Sequence, residues 1–174
     1  MGKIQRQPAV KLICGFIYSD EQAYAKAKAS IERPYGAADF ESSPIPFTFT
    51  KYYAPEMGEN LTRRFASFPR TILPDELAPI KVLTNKIEEK LCVAGKRRVN
   101  IDPGYVDLAK LVLASTKDFR HRNYLRFGIF TEVTLFWQGK SFKPWEWTFP
   151  DYATPEYIAI FNLIRERYAR QARG

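Results

Sequence analysis

Residues 11–18 read KLICGFIY, a nearly continuous apolar run between a polar N-terminal stretch and Ser19-Asp20. Such a run is typical of a strand that is buried on both faces of a sheet. A helix is predicted next, because Ser19 and Gln22 match a capping box and apolar residues then recur at helical spacing. The sequence Pro34-Tyr35-Gly36 ends that pattern. The stretch therefore predicts a buried strand followed by an amphipathic helix.

The pattern after residue 46 predicts further strands and a second helix. Residues 47–52 alternate with a period of two, as in a half-exposed strand, and 64–72 predicts an edge strand because Pro69 lacks a backbone donor. Apolar residues at 77, 80, 83, 87 and 91 predict a helix that Gly95 ends, with Glu88 and Glu89 on its other side. A strand at 97–101 then runs into a turn signal, Asp102-Pro103-Gly104.

The order strand, helix, strand, strand, helix, strand is the split βαβ pattern of a ferredoxin-like core. In 105–115 the spacing favours a short helix, although LVLA at 111–114 also fits a strand. Alternation predicts a hairpin of 119–126 with 129–137, a return strand at 142–147, and a last helix that begins at Thr154-Pro155-Glu156. We therefore expect an α+β fold: a mostly antiparallel sheet with helices on one face, extended by a C-terminal β-hairpin and a terminal helix.

Length and composition predict one folded domain over residues 1–174, with 1–8 as a flexible N-terminus. The sequence contains no apolar run of about 18 residues, and its start lacks the apolar core of a signal peptide. We therefore expect a cytoplasmic protein without membrane contact. Cys14 and Cys92 are expected to be reduced, and with a single histidine they cannot form the usual zinc site. We expect no metal and no cofactor.

The net charge of +8 is concentrated towards the C-terminus. Residues 1–93 contain 13 basic and 11 acidic side chains, and residues 94–174 contain 14 and 8. The densest basic stretch extends from residue 96 to residue 126, with eight basic and three acidic side chains. Such a bias favours an anionic partner, whether a nucleic acid, a nucleotide or an acidic protein.

Arginines in the predicted strand 119–126 are the candidate ligand-binding residues. Alternation places Arg120, Arg122 and Arg126 on one face with Tyr124, a basic strip with an aromatic platform, and Arg97 and Arg98 lie nearby. Arginine suits bidentate contact with phosphate. The alternative is a solvated strand face whose arginines pair with Glu132 on the neighbouring strand.

His121 is the single histidine of the sequence, and alternation places it opposite the arginines. It is either a hydrogen-bonded core or rim residue, or a general acid or base oriented by Asp102 or Asp118. In the second case Lys117 would act as an electrostatic stabiliser. The loop expected at Asp102 is either an ordinary turn or an anion site at the start of the following helix.

Four aromatic residues fall within the eight residues from Trp145 to Tyr152, which read WEWTFPDY. As an exposed surface this segment could stack a base, bind a protein partner or join two copies of the chain. The alternative is a lid that seals the core beneath the last helix.

Five sequence runs carry a resemblance to a known family: NIDPGY at 100–105, LASTKD at 113–118, HRNYL at 121–125, EVTL at 132–135 and WTFPDY at 147–152. With AVKL at 9–12 and the stretch 44–57, they resemble a bacterial family known as a domain of unknown function, over nearly the whole chain. Its members are sometimes labelled GTP-binding, so the resemblance implies a nucleotide site. The sequence contains no GxxxxGK[ST] loop, Rossmann fingerprint, nucleophile elbow or HExxH motif.

The sequence is compatible with three functions. The first is a protein that binds a phosphorylated ligand, a nucleotide or RNA. The second is an enzyme for a small phosphorylated substrate with His121 as acid or base, and the third is a structural or protein-interaction module. A concave pocket that holds His121, Lys117 and Asp102 would favour the enzyme, whereas a flat arginine face would favour binding.

Overall fold

The computed structural model of the chain describes residues 2–4 and 7–173, so the predicted flexible segment 1–8 lies partly outside the described residues. Within them, nine strands form one sheet and four helices pack around it. The strands are β1 (Val10–Tyr18), β2 (Phe40–Glu41), β3 (Ile45–Pro46), β4 (Thr62–Ile72), β5 (Val99–Val106), β6 (Lys110–Ser115), β7 (Asn123–Arg126), β8 (Ile129–Gln138) and β9 (Ser141–Pro144). The helices are α1 (Glu21–Tyr35), α2 (Ala54–Met57), α3 (Leu77–Lys90) and α4 (Pro155–Gln171). The α+β class is confirmed.

The strands follow the order β2-β4-β1-β5-β6-β8-β7, with β3 on β4 and β9 on β8. Every pair among the described strands is antiparallel, and β1 lies between β4 and β5. In a split βαβ unit the two strands joined by the helix run parallel but are separated by another strand, so antiparallel pairing throughout does not exclude it. The antiparallel sheet is confirmed, and the ferredoxin-like arrangement stays a prediction.

Strand β1 is buried along its whole length because the sheet is covered on both faces. One face, with Leu12, Cys14 and Phe16, packs against α1 and α3. The other face, with Ile13, packs with Phe65 of β4 against α4. This two-sided cover explains why KLICGFIY is almost continuously apolar.

Two helix starts illustrate how capping fixes the boundaries. The carboxylate of Asp20 accepts hydrogen bonds from the backbone amides of Gln22 (2.8 Å) and Ala23 (3.3 Å), so the predicted cap at Ser19 is wrong by one residue. Helix α4 begins as predicted, with the Thr154 hydroxyl accepting from the amide of Tyr157 at 3.3 Å. Its predicted inward residues are all buried: Tyr157, Phe161, Ile164 and Tyr168.

The helix predicted at 105–115 is wrong, because this segment completes β5 and forms β6. The run LVLA is buried, and a short buried apolar run does not distinguish strand from helix by its periodicity. Asp102-Pro103-Gly104 is not a turn either but lies inside β5, opposite residues 13–15 of β1. A Cβ atom on Gly104 would lie 2.4 Å from the carbonyl oxygen of Val112, so the close approach of β6 requires glycine there.

Other predicted strands differ in length and position. The strand predicted at 47–52 is wrong: within 45–53 only Ile45–Pro46 forms a strand, which pairs with β4, and 47–53 leads irregularly into α2. The predicted edge strand is β4, which lies inside the sheet and tolerates Pro69 because the register with β1 shifts at that point. The return strand β9 ends at Pro144. The hairpin of β7 and β8 is confirmed, but β7 begins only at Asn123.

Candidate functional site

A cleft of about 680 Å³ opens where β5 and β6 separate. The two strands pair only over 104–106 and 111–113, so the preceding residues of β5 have β1 on one side and the cleft on the other. Side chains from α3 line the cleft together with residues from β4, the 47–53 segment, the 114–117 segment and the 149–152 segment. The division of the sheet therefore creates a deep concave surface.

Two side chains of α3 replace the missing partner strand along β5. The amide of Ile101 donates to Glu88 Oε1 at 2.8 Å, and its carbonyl accepts from Lys81 Nζ at 2.8 Å. Buried backbone groups need such partners, which is why both charged side chains point inward. The predicted position of Glu88 on the solvent side of the helix is wrong. Burial raises the pKa of Glu88 above its ordinary value.

Arg63 of β4 forms the floor of the cleft, with its side chain only 3% exposed. It donates to Asp102 Oδ2 at 3.2 Å and to Asp151 Oδ2 at 3.0 Å, and Lys81 Nζ lies 4.0 Å from Asp102 Oδ1. Gly15 of β1 leaves room for this group, because a Cβ atom there would lie 3.0 Å from Arg63 Nη1. The floor is therefore a buried network of two cations and two carboxylates.

Three buried polar atoms of residues that line the cleft have no hydrogen-bond partner among the described residues. They are Arg63 Nε, Asn100 Nδ2 and the hydroxyl of Tyr152. Burial raises the pKa of the Tyr152 phenol well above its ordinary value, so this hydroxyl keeps its proton. Buried polar atoms are rarely left without partners. All three can donate, but each is enclosed by the surrounding side chains and is not exposed in the cleft.

Arg97 also lines the cleft, but carboxylates already bind its guanidinium. Its Nε and Nη2 each lie 2.7 Å from an oxygen of Glu56, and its Nη1 donates to Glu88 Oε2 at 3.2 Å. The adjacent guanidinium holds the pKa of Glu56 below its ordinary value. Arg98 lies outside the cleft and donates to Asp20 Oδ2 at 3.0 Å.

The mouth of the cleft combines a cation with exposed aromatic rings. Lys117 Nζ donates to the hydroxyl of Tyr52 at 3.1 Å and lies 4.7 Å from the centre of its ring. No carboxylate among the described residues lies within 4 Å of this ammonium. The exposed rings of Phe49, Tyr52 and Phe149 also line the cleft.

The basic strip predicted for 119–126 is wrong, because 119–122 is a turn and not part of a strand. Arg122 folds back to donate to Glu132 Oε2 at 2.8 Å and to the Ser115 hydroxyl at 3.0 Å, so its alternative pairing is confirmed. Arg120 is exposed on the turn. Arg126 and Tyr124 lie on β7, where Arg126 donates to a backbone carbonyl at 2.9 Å.

His121 shares a carboxylate with Arg122 and does not lie opposite it, so the predicted placement is wrong. Its Nε2 is 3.2 Å from Glu132 Oε2, and its ring stacks on Trp147 at 5.6 Å. Glu132 lines the cleft, whereas His121 does not. The predicted orienting residues Asp102 and Asp118 make no hydrogen bond to His121 among the described contacts; Asp118 is exposed.

The segment from Trp145 to Tyr152 is fastened to β8. Trp147 Nε1 donates to the carbonyl of Val133 at 3.1 Å, and Tyr152 is buried beneath α4 with its ring stacked 5.6 Å from that of Phe161. Tyr152 thus fits the lid interpretation. Trp145 and Phe149 are exposed, and the expectation that this segment binds a protein partner or a second copy remains a prediction.

Sequence reasoning found four residues that line the cleft: Arg97, Asp102, Lys117 and Arg122. The other candidates lie outside it: Arg98, Asp118, Arg120, His121, Tyr124 and Arg126. Arg63, Lys81 and Glu88 were missed, although a signal existed. Lys81 and Glu88 occur at helical spacing from Leu77, which is itself buried, so charged residues share the inward side of α3.

A comparison with family models identifies the chain. The model described as "Domain of unknown function (DUF4416)" matches residues 8–168. The chain belongs to this family. The resemblance to a family of unknown function is thereby confirmed, and the match contains every residue that lines the cleft of this DUF4416 chain. Searches of curated proteins and of solved structures gave no match.

Two further observations on the DUF4416 chain concern membranes and metals. Among the described residues, no helix has the length and apolar character needed to cross a membrane. The same residues contain no group of three or more side chains placed to bind a metal ion.

Proposed function

We propose that the cleft between β5 and β6 binds a small phosphorylated ligand, and that a nucleotide is the class that fits best. The observation that carries this proposal is Lys117, which lines the cleft with its Nζ 4.7 Å from the ring centre of the exposed Tyr52.

The phosphate is assigned to the mouth of the cleft, at Lys117. Five cations line the described cleft, and four have a carboxylate within 4 Å: Arg63, Lys81, Arg97 and Arg122. Lys117 is the fifth, and the hydroxyls of Ser115 and Thr116 are next to it in the sequence. An ammonium without a counterion beside hydroxyl donors suits a phosphate group.

The ring of the ligand is assigned to the exposed aromatic side chains at the same mouth, Phe49, Tyr52 and Phe149. Stacking of a base on an aromatic side chain is worth about 1–3 kcal/mol and tolerates any base, because every base has a π-face. The cleft volume of about 680 Å³ lies within the range typical of small-molecule sites.

The experiment is calorimetric titration with mononucleotides, sugar phosphates and inorganic phosphate. Lys117→Ala is expected to weaken nucleotide binding about tenfold, and less as salt rises, because an exposed charge contact is screened. The matched control is Lys143→Ala, an exposed lysine of β9 outside the cleft, which should bind as the wild type does. Thermal stability should change little in both variants.

Cys92 provides a second readout, because it lines the cleft and is partly exposed. A ligand in the cleft should slow alkylation of Cys92, measured by mass spectrometry. Equal binding by Lys117→Ala and Lys143→Ala, or an alkylation rate that saturating nucleotide leaves unchanged, would overturn the proposal.

The enzyme alternative has less support, because Glu132 lines the cleft and His121 does not. His121 could act on a ligand there only through Glu132. Release of inorganic phosphate from a bound nucleotide, lost in His121→Ala, would favour the enzyme. Absence of binding to any tested compound would favour the structural or interaction module.

A further inference from the structure

The tip of the β7–β8 hairpin holds an aromatic residue in a conformation that suits asparagine or glycine. Phe127 and Gly128 connect the paired residues Arg126 and Ile129, with φ values of 56° and 72°. Two-residue hairpin turns with both φ values positive favour Asn-Gly. A bulky residue in the left-handed region is a genuine outlier. Phe127 therefore carries a conformational cost that a smaller polar residue would avoid.

Burial does not offset this cost. The side chain of Phe127 is 65% exposed, that of Tyr124 on the same hairpin is 63% exposed, and that of Phe119 on the preceding turn is 56% exposed. Backbone strain at a surface position points to function when the surrounding fold gains nothing from the side chain. Phe127 and Tyr124 thus present two exposed rings on the hairpin, and Phe119 presents a third on the turn that precedes it.

An arginine guanidinium lies near each of two of these rings. The guanidinium of Arg126 lies 5.2 Å from the ring centre of Phe127, and that of Arg120 lies 5.9 Å from that of Phe119. Neither arginine has a carboxylate within 4 Å among the described residues. The hairpin and the turn therefore present positive charge that no described side chain neutralises.

The 117–122 turn connects the mouth of the cleft with the hairpin. The amide of Arg122 donates to the carbonyl of Phe119 at 2.9 Å, and its Nη1 donates to the carbonyl of Lys117 at 2.9 Å. The turn is thus held in one compact arrangement between the cleft and the hairpin.

We propose that the β7–β8 hairpin and the turn before it bind single-stranded nucleic acid, through Tyr124, Arg126 and Phe127 of the hairpin and Phe119 and Arg120 of the turn. Unpaired bases would stack on the exposed rings, and the arginines would contact the phosphates between them. A duplex hides its base faces, so it gives the rings nothing to stack on. This site is separate from the cleft and does not depend on the function proposed there.

The experiment is fluorescence anisotropy with labelled single-stranded RNA and single-stranded DNA of about 12 nucleotides, and with a DNA duplex of the same sequence. Phe127→Asn removes the ring and places a favoured residue in the turn, so the fold should persist. Single-strand affinity is expected to fall about 5- to 100-fold. The control is Leu163→Asn on α4, an exposed apolar residue outside the hairpin and the turn, which should leave affinity unchanged.

Salt dependence tests the charges. Arg120→Ala is expected to reduce the slope of log affinity against log salt by about 0.7, the value for one phosphate contact with a single strand. A larger loss of affinity for RNA than for DNA in Arg120→Ala would indicate that this arginine also contacts the 2′-hydroxyl. If the wild type binds single-stranded RNA and single-stranded DNA tightly and Phe127→Asn binds neither, the proposal is supported for RNA and for DNA.

Three results would overturn the proposal. They are equal affinity for the duplex, unchanged affinity in Phe127→Asn, and no single-strand binding at about 50 mM salt. A dimer that dissociates in Phe127→Asn without any nucleic-acid binding would identify the hairpin as a protein interface instead. Phe127→Asn should leave mononucleotide binding and the protection of Cys92 unchanged, so failure at the hairpin and failure at the cleft can be distinguished.

Discussion

Arg63 shows how one buried charge is accommodated among aromatic side chains. Its guanidinium lies 5.1 Å from the ring centre of Phe47 and 5.3 Å from that of Phe65, so cation–π contact adds to its ion pairs. Removing an ion from water costs several kcal/mol, which one carboxylate at 3 Å does not fully offset. Asp102 and Asp151 together provide the compensation.

Asp151→Ala should therefore lower the free energy of unfolding by about 3–5 kcal/mol, because it removes one partner from a buried charge. Urea denaturation at neutral pH measures this loss. Asp118→Ala, at an exposed position without an ion pair among the described residues, should change stability by less than about 0.5 kcal/mol. A loss below about 1 kcal/mol in Asp151→Ala would show that Arg63 does not depend on this pair.

Glu88 should make stability depend on pH in the opposite sense to an ordinary surface carboxylate. Burial raises the pKa of the folded-state carboxyl above the value of about 4.5 that it has when unfolded, so the folded state binds the proton more tightly. Its contribution to stability is then fully present below about pH 4.5 and is lost as pH rises through the raised folded value.

Glu88→Gln tests this sign, because glutamine keeps an oxygen that can accept from the amide of Ile101. Between about pH 4.5 and the raised folded pKa, wild-type stability should fall relative to the variant by up to about 1.4 kcal/mol per pH unit. Urea denaturation at intervals from about pH 4 to pH 8 gives both profiles. Parallel profiles would contradict the assignment.

At the scale of elements, local signals predicted some parts of the fold and non-local pairing decided the rest. Helices α3 and α4 and strand β1 could be predicted, because their periodicity or apolar character depends only on residues that are close in sequence. The failure at 105–115 has a physical cause, since a buried apolar run has the same composition in either element.

The candidate site was predicted in part for the same reason. Asp102 and Lys117 were found because they adjoin distinctive sequence runs. The cleft itself depends on where β5 and β6 stop pairing, and that depends on contacts between distant residues such as Gly104 and Leu113. Arg122 was assigned to a strand, and the turn at 119–122 directs it to Glu132 instead.

Helix α4 should be essential to stability through its inward side. Phe161 is fully buried against the rings of Phe65 and Tyr152, so Phe161→Ala should lower the free energy of unfolding by about 3–5 kcal/mol. Leu163→Ala, on the exposed side of the same helix, controls for helix propensity and should cost less than about 0.5 kcal/mol. Equal losses in the two variants, measured by urea denaturation, would show that α4 does not pack as described.

At the scale of the whole molecule, the net charge of +8 does not form one basic face. Within the densest basic stretch, Arg97, Arg98 and Arg122 are all neutralised by carboxylates from other parts of the chain. Lys110 pairs with Asp107, and the remaining positive charge lies at separate places: Lys96 after α3, Lys117 at the cleft, Arg120 on the 119–122 turn and Arg126 on β7. The number of basic residues in this stretch of sequence therefore overstates the positive electrostatic potential that a large anion would experience at the surface.

The position of α4 in the chain has a consequence for synthesis. The ribosome makes the sheet first and the helix that covers one of its faces last, after β9. Until Tyr157 and Phe161 leave the exit tunnel, the apolar side of the nascent sheet around Ile13 and Phe65 has no cover. A translational pause in this interval would lengthen the time in which unfinished chains can associate through that face. The speed of decoding near residue 154 thus affects the yield of native protein as well as its rate of production.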